Sequence, residues 1–145
     1  MFFDDLSEGY TFETASRALP LEEIVSFARS WDPQPFHTDE TAAQDSPFGG
    51  IIASGFHTML TAFVLTLEAD IWNEASMGSP GMDALRWLTP VRPGDVLRCR
   101  GRVVALTPSK SRPDRGRAEI DYEVVNQDNI AVMTYRITHI LRRRG

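Results

Sequence analysis

The sequence predicts an α+β protein in which an antiparallel β-sheet wraps around one long, buried central helix. Three observations point there. Residues 56–72 carry apolar side chains around nearly the whole helical circumference, the pattern of a helix enclosed by core rather than laid on a surface. Three later stretches alternate with a period of two, as strands with one buried face do. The strands also follow the helices instead of interleaving with them, which favours an antiparallel sheet. At 145 residues, with no repeat or linker, one domain spanning 1–145 is expected.

Taken in order, Tyr10 to Leu19 mixes β-branched and aromatic residues and is predicted as a first strand. Pro20 suits a first helical position, and Glu22 and Glu23 suit the positive end of the helix dipole. Leu21, Ile24, Val25, Phe27, Ala28 and Trp31 then recur at helical spacing. The run Asp32-Pro33-Gln34-Pro35 stops that helix, because each proline pushes its predecessor out of the α region. A short helix is expected to restart with Thr38 as its cap. Ser46 to Gly55 holds three glycines and is expected as a loop. Beyond the central helix, Met82 to Val91 is predicted as a strand, followed by a turn at Arg92 to Asp95. Leu97 to Val103 puts Arg98, Arg100 and Arg102 on one face; Arg117 to Val125 puts Glu119, Asp121 and Glu123 on one face. Paired antiparallel, the arginine row can oppose the acidic row. Asn126 to Asn129 makes a turn into a last strand, Ile130 to Leu141.

Charge and composition exclude several functions. The net charge is −5 and no basic stripe is present, which argues against nucleic-acid binding. A single cysteine permits neither an internal disulfide nor a cysteine zinc site and fits a reducing cytoplasm. The acidic start MFFDDLSEG has no basic n-region, so no signal peptide is expected. Ile51 to Leu67 is too polar and too short for a membrane span.

The densest polar group is DPQPFHTD, Asp32 to Asp39. Two prolines stiffen the loop that displays Asp32 and His37. A carboxylate and an imidazole held together can divide acid and base roles; equally, Asp32 can cap a turn and His37 bond locally. GGIIASG, Gly49 to Gly55, leads into the central helix. A helix N-terminus offers free N–H groups to a carbonyl that becomes an oxyanion, although a plain glycine loop has the same composition. No Gly-Lys-Ser/Thr ending and no GxGxxG is present, so phosphate and dinucleotide loops are excluded.

FARSWDPQPFHTD, Phe27 to Asp39, followed by FGGIIASG, Phe48 to Gly55, resembles the MaoC-like dehydratases, hotdog-fold relatives of (R)-specific enoyl-CoA hydratases. RWLTPVRPGD, Arg86 to Asp95, is similar to the strand and turn that follow the family's central helix. The resemblance implies a hotdog fold and reversible addition of water to a trans-2-enoyl thioester. Asp32 and His37 would hold and activate the water and deliver a proton to C2. The Gly55 N–H would polarise the thioester carbonyl. Gln34, Phe36, Gly50, Ser54, Phe63 and Arg86 are the candidate substrate-binding residues. No metal or redox cofactor is implied, since coenzyme A or an acyl carrier enters as part of the substrate. A homodimer or higher even oligomer is implied, with two open sheet edges joined across a two-fold axis.

This sequence departs from the family at Gln34, where Asn is frequent, at Ser54, where many members have His, and at Phe63, where the hydratases often have Ser. A thioesterase on the same fold, or an acyl-thioester-binding protein without catalysis, are the competing readings. His57 is expected as a core or interface histidine, His139 and Cys99 as structural. The three histidines lack metal-ligand spacing. Lys110, Arg112, Arg115 and Arg142 to Arg144 could meet coenzyme A phosphates, or could simply be solvated.

Overall fold

A computed structural model describes the whole chain, Met1–Gly145. Six strands form the sheet: β1 (Thr11–Glu13), β2 (Arg17–Ala18), β3 (Gly81–Trp87), β4 (Val96–Pro108), β5 (Arg115–Val125) and β6 (Ala131–Arg142). Their order is β1-β4-β5-β6-β3, with β2 pairing beside β1 on β4, and every pairing is antiparallel. Four helices precede β3: α1 (Leu21–Trp31), α2 (Pro35–Thr38), α3 (Glu40–Gln44) and the central α4 (Gly55–Ala69). No helix is long and apolar enough to cross a membrane.

The alternation of the long strands sorts their side chains as expected. Leu97, Cys99 and Val103 of β4, Ala118, Ile120, Tyr122 and Val124 of β5, and Met133, Tyr135, Ile137 and Leu141 of β6 are all buried in one core. At Gly101 a Cβ would meet the Phe12 ring at 2.3 Å, so only glycine lets that ring lie flat on β4. The opposite face is an ion-pair lattice, and its pairing differs in part from the expected one. Arg100 bridges Glu13 (3.0 Å) and Glu123 (3.3 Å). Arg102 stands opposite Asp121, but the Asp121 carboxylate accepts two bonds from Arg136 instead (2.6 and 3.1 Å). These pairs are solvated and worth roughly 0–1 kcal/mol each.

Three local expectations are corrected. The first strand is split into β1 and β2, because the Thr14 hydroxyl takes the Cys99 N–H and breaks the ladder. Pro20 is the cap of α1 rather than its first residue. Asp39, not Thr38, caps α3: its carboxylate accepts from the N–H groups of Thr41 and Ala42 (2.9 and 3.1 Å), while Thr38 ends α2.

The largest correction concerns α4. Its buried residues are His57, Thr58, Thr61, Ala62, Leu65 and Thr66. Phe56, Leu60 and Phe63 are 53%, 47% and 37% exposed. The threonines can be buried because their hydroxyls bond carbonyls of their own helix: Thr61 to His57 (2.8 Å) and Thr66 to Phe63 (2.6 Å). The helix is therefore central but not enclosed, and it presents an apolar stripe.

The termini form a clasp. Arg143 donates twice to Asp4 (2.9 and 2.7 Å) and Arg144 twice to Asp5 (2.9 and 2.8 Å). The Arg144 guanidinium lies 4.8 Å from the Phe2 ring centre.

Candidate active site

Asp32 follows the last turn of α1 and its N–H still bonds to Ala28 (2.8 Å). Pro33 then turns the chain away, which leaves the Asp32 carboxyl standing off the helix end. Gln34 Nε2 donates to Asp32 Oδ1 (2.7 Å), and Ser54 Oγ donates to Oδ2 (2.7 Å). Burial alone would raise this carboxyl. The Gln34 and Ser54 donors and the neighbouring His37 outweigh it, so Asp32 titrates below the usual carboxylate range.

Pro35 opens α2, a single turn that presents His37. The His37 ring is buried, with Nδ1 2.6 Å from the Ile52 carbonyl. A carbonyl can only accept, so Nδ1 carries the hydrogen. The neutral ring then offers an unprotonated Nε2, 3.3 Å from Asp32 Oδ2. Two acceptors face each other across that gap. A water beside them can give one hydrogen to each and keep a lone pair for attack.

The third component is the start of α4. Ser54 is its cap, its Oγ accepting from Phe56 N–H (3.3 Å). The Gly55 N–H has no protein acceptor, as expected of a first-turn amide. A Cβ at Gly55 would lie 2.3 Å from the Trp87 indole, so glycine is what lets β3 close over the helix start.

Asp32, Gln34, His37 and Gly55 line one cavity of about 430 Å³. Its remaining walls are largely apolar: Phe48, Ile52, Phe56, Trp87, Leu88, Val91 and Val132. An apolar pocket with a few convergent polar groups is the usual form of a small-molecule site. A larger groove of about 970 Å³ crosses the outer sheet face. It is lined by the ion-pair lattice, with Arg102 and Asp83 left outside the pairs, and its walls are mostly polar.

The other candidates separate. Ser54 holds Asp32 rather than lining the cavity. Phe36 packs beside the His37 ring (4.5 Å) and Phe48 (5.2 Å). Gly50 lies outside the cavity, with Arg92 the nearest side chain. Phe63 sits two turns along α4, 6.3 Å from the Trp72 ring. Arg86 is exposed on β3 and does not reach the cavity. His57 is buried between helices, stacked on Phe27 (4.5 Å) and 3.4 Å from Glu23. Burial lowers its pKa despite Glu23. Arg115 pairs with Asp114, and Arg143 and Arg144 with Asp4 and Asp5. Trp87, Leu88 and Thr89 also line the cavity, outside the residues expected from the sequence; Trp87 is brought there by packing on Gly55 and Phe56.

Residues 6–126 match the MaoC like domain family. The chain is similar to the crystal structure of a MaoC-like dehydratase from Rhodospirillum rubrum, at 37% identity and a TM-score of 0.94, covering 100% of this chain and 99% of that one. It is 30% identical to the 3-hydroxybutyryl-CoA dehydratase of Methylorubrum extorquens over 118 residues, 77% of this chain and 69% of that protein. A Mycobacterium tuberculosis protein with a double hotdog fold shares the architecture at 21% identity and a TM-score of 0.78, covering 100% of this chain and 45% of that one. With a helix-centred antiparallel sheet and a family match over most of its length, this chain belongs to the MaoC-like dehydratase family and has the hotdog fold.

Proposed function

We propose that the protein hydrates trans-2-enoyl thioesters, and dehydrates the corresponding 3-hydroxyacyl thioesters, with coenzyme A as the expected carrier. The observation that carries this reading is the convergence of Asp32, His37 and the free Gly55 N–H on one apolar-walled cavity. In the hydration direction Asp32 and His37 hold one water beside Oδ2 and Nε2, which accept one hydrogen each. Its oxygen bonds to C3 as one O–H bond breaks, and His37 Nε2 takes that proton. The π electrons of C2–C3 move onto the thioester as an enolate, whose oxygen accepts from Gly55 N–H. Return of the proton to C2 completes the addition, with no atom left over. Asp32, held ionised by Gln34 and Ser54, stabilises the transient imidazolium.

The working unit is a homodimer. The far edge of β3 carries no strand, and Phe56, Leu60, Phe63, Met82 and Trp87 expose an apolar band beside it. Open edges and large apolar patches are both features that a second copy can cover.

The test is incubation with crotonyl-CoA, following loss of the enoyl absorbance and release of free thiol in parallel. Absorbance loss without thiol is expected. Thiol release without hydration would favour the thioesterase, and neither signal across several chain lengths would overturn the enzymatic reading. Asp32→Asn and His37→Ala are each expected to abolish hydration while leaving the fold intact; activity in both variants would remove the site assignment.

A further inference from the structure

A second cavity, of about 310 Å³, opens on the same face of α4. Its apolar walls come from Met59, Leu60 and Phe63 of α4, Met82 of β3 and Ile137 of β6. One side chain in that wall is chemically out of keeping. His139 is 3% exposed, and its Nε2 lies 2.7 Å from the Tyr122 hydroxyl. Burial holds the Tyr122 phenol protonated, and its hydroxyl shares one hydrogen bond with Nε2. Burial also holds the imidazole neutral, its pKa pushed down to about 4. The neutral ring has one N–H and one bare nitrogen, so Nδ1 either donates or accepts.

Nδ1 has no protein partner; the one side-chain bond of His139 is that through Nε2. Two partnerless side-chain polar atoms are sealed from solvent, His57 Nδ1 and Trp72 Nε1. His139 Nδ1 is not one of them, so it reaches open space, and His139 lines this cavity.

The two cavities follow one another along α4. Gly55 and Phe56 border the first; Met59, Leu60 and Phe63 border the second. The exposed stripe Phe56, Leu60, Phe63 runs from one to the other. The helix rise places Phe63 about 12 Å beyond Gly55. We propose that the second cavity receives the far end of the acyl group, and that His139 Nδ1 reads a hydroxyl carried there, which can donate or accept as the ring requires. This rests on the thioester reading above. A charged carboxylate is disfavoured, since neutral His139 brings no counter-charge to the apolar walls.

The test compares kcat/KM for trans-2-decenoyl-CoA and its ω-hydroxy counterpart on the full chain. The hydroxylated substrate is expected to win by roughly tenfold. In His139→Phe the ratio is expected to fall to about one. A purely structural role for His139 would change both substrates alike and leave the ratio. Because His139→Phe strands the Tyr122 hydroxyl, the double variant Tyr122→Phe/His139→Phe removes both partners and keeps the comparison on a folded protein. Calorimetric binding of decanoyl-CoA and ω-hydroxydecanoyl-CoA separates this inference from the reaction. Tighter binding of the hydroxylated form without any hydration keeps the pocket and removes the chemistry. Equal kcat/KM and equal binding in the unmodified protein, or a preference that survives in both variants, overturns the inference.

Discussion

Replacing Ser54 by alanine tests whether one side chain couples the carboxylate to the oxyanion donor. Ser54 is completely buried, and its Oγ makes two bonds. The bond donated to Asp32 Oδ2 is short (2.7 Å) and charge-assisted, a class worth about 1.5–3 kcal/mol. The low end applies, because the Asp32 side chain keeps 14% of its surface and water can replace part of the donor. The bond accepted from Phe56 N–H is long (3.3 Å), so the cap adds about 0.5 kcal/mol. The sum is about 2 kcal/mol, a fall in Tm of roughly 6 °C for a domain of this size.

The kinetic consequence is distinct from that loss. Without Ser54 the carboxylate is held by Gln34 alone, through Oδ1, and a misplaced water-binding carboxylate costs about 10–100-fold in kcat. KM should move little, since the apolar walls are unchanged. The pH dependence has a definite sign. Asp32 has a folded pKa below its unfolded one. Its stabilisation is therefore present above the unfolded value and is lost as pH falls through the folded value. Removing the Ser54 donor raises the folded pKa, so the acid limb of the crotonyl-CoA rate profile moves to higher pH. Gln34→Ala should do the same more weakly, because that amide is exposed and solvent replaces it. A Ser54→Ala protein that melts earlier but keeps its kcat and its acid limb would refute the coupling and leave Ser54 as a cap only.

Other substitutions probe other parts of the molecule. Gly55→Ala drives a Cβ to 2.3 Å from the Trp87 indole; it should cost about 1–3 kcal/mol in a denaturant melt and remove hydration by displacing β3 from the helix start. Leu60→Glu puts a charge in the exposed stripe of α4 and should convert the proposed dimer to monomer in sedimentation velocity, without unfolding. Asp70 ends α4 at φ +53°, a left-handed conformation that favours glycine. Asp70→Gly also removes an anion from the negative end of the helix dipole, and should raise Tm by about 3 °C. Cys99 is buried and its thiol is pushed up to about 12, so a disulfide reagent should label it only as fast as the protein unfolds.

The sheet was legible because its strands obey a strict period. Arg98, Arg100 and Arg102 against Leu97, Cys99 and Val103 leave no doubt about which face is buried. The same logic misjudged α4, where polarity and burial are exchanged. Thr58, Thr61 and Thr66 lie inside, and Phe56, Leu60 and Phe63 lie on the surface. A threonine that returns its hydroxyl to its own helix has no polar group left to satisfy, and a surface that awaits a second copy can afford phenylalanine. Neither fact is visible to a residue-by-residue scale. The site divides the same way. Asp32, His37 and Gly55 stand out in the sequence as candidates, because prolines and glycines mark stiff backbone. Trp87, Leu88 and Thr89 do not, because they reach the cavity through tertiary contacts, Trp87 on Gly55 and Phe56, Leu88 and Thr89 bonded to Val132 and Ala131, that no local signal announces.

The geometry of the candidate site depends on very little of the sequence that surrounds it. Within four consecutive residues, the chain supplies the Ile52 carbonyl that orients His37, the Ser54 hydroxyl that orients Asp32, and the Gly55 N–H that is left for the thioester. Two of these three groups are backbone. The Ile52 side chain matters only as a wall of the cavity, so an apolar replacement such as Ile52→Val should keep the His37 tautomer and most of the rate. Ser54, by contrast, contributes through its side chain, and a residue there with a different donor would hold the carboxylate at a different angle and reach. In the proposed reaction the departure from His to Ser at this position is thus no loss of a catalytic group. It would set how Asp32 meets the water, which would make the start of α4, more than the acid–base pair itself, the place where that chemistry is tuned.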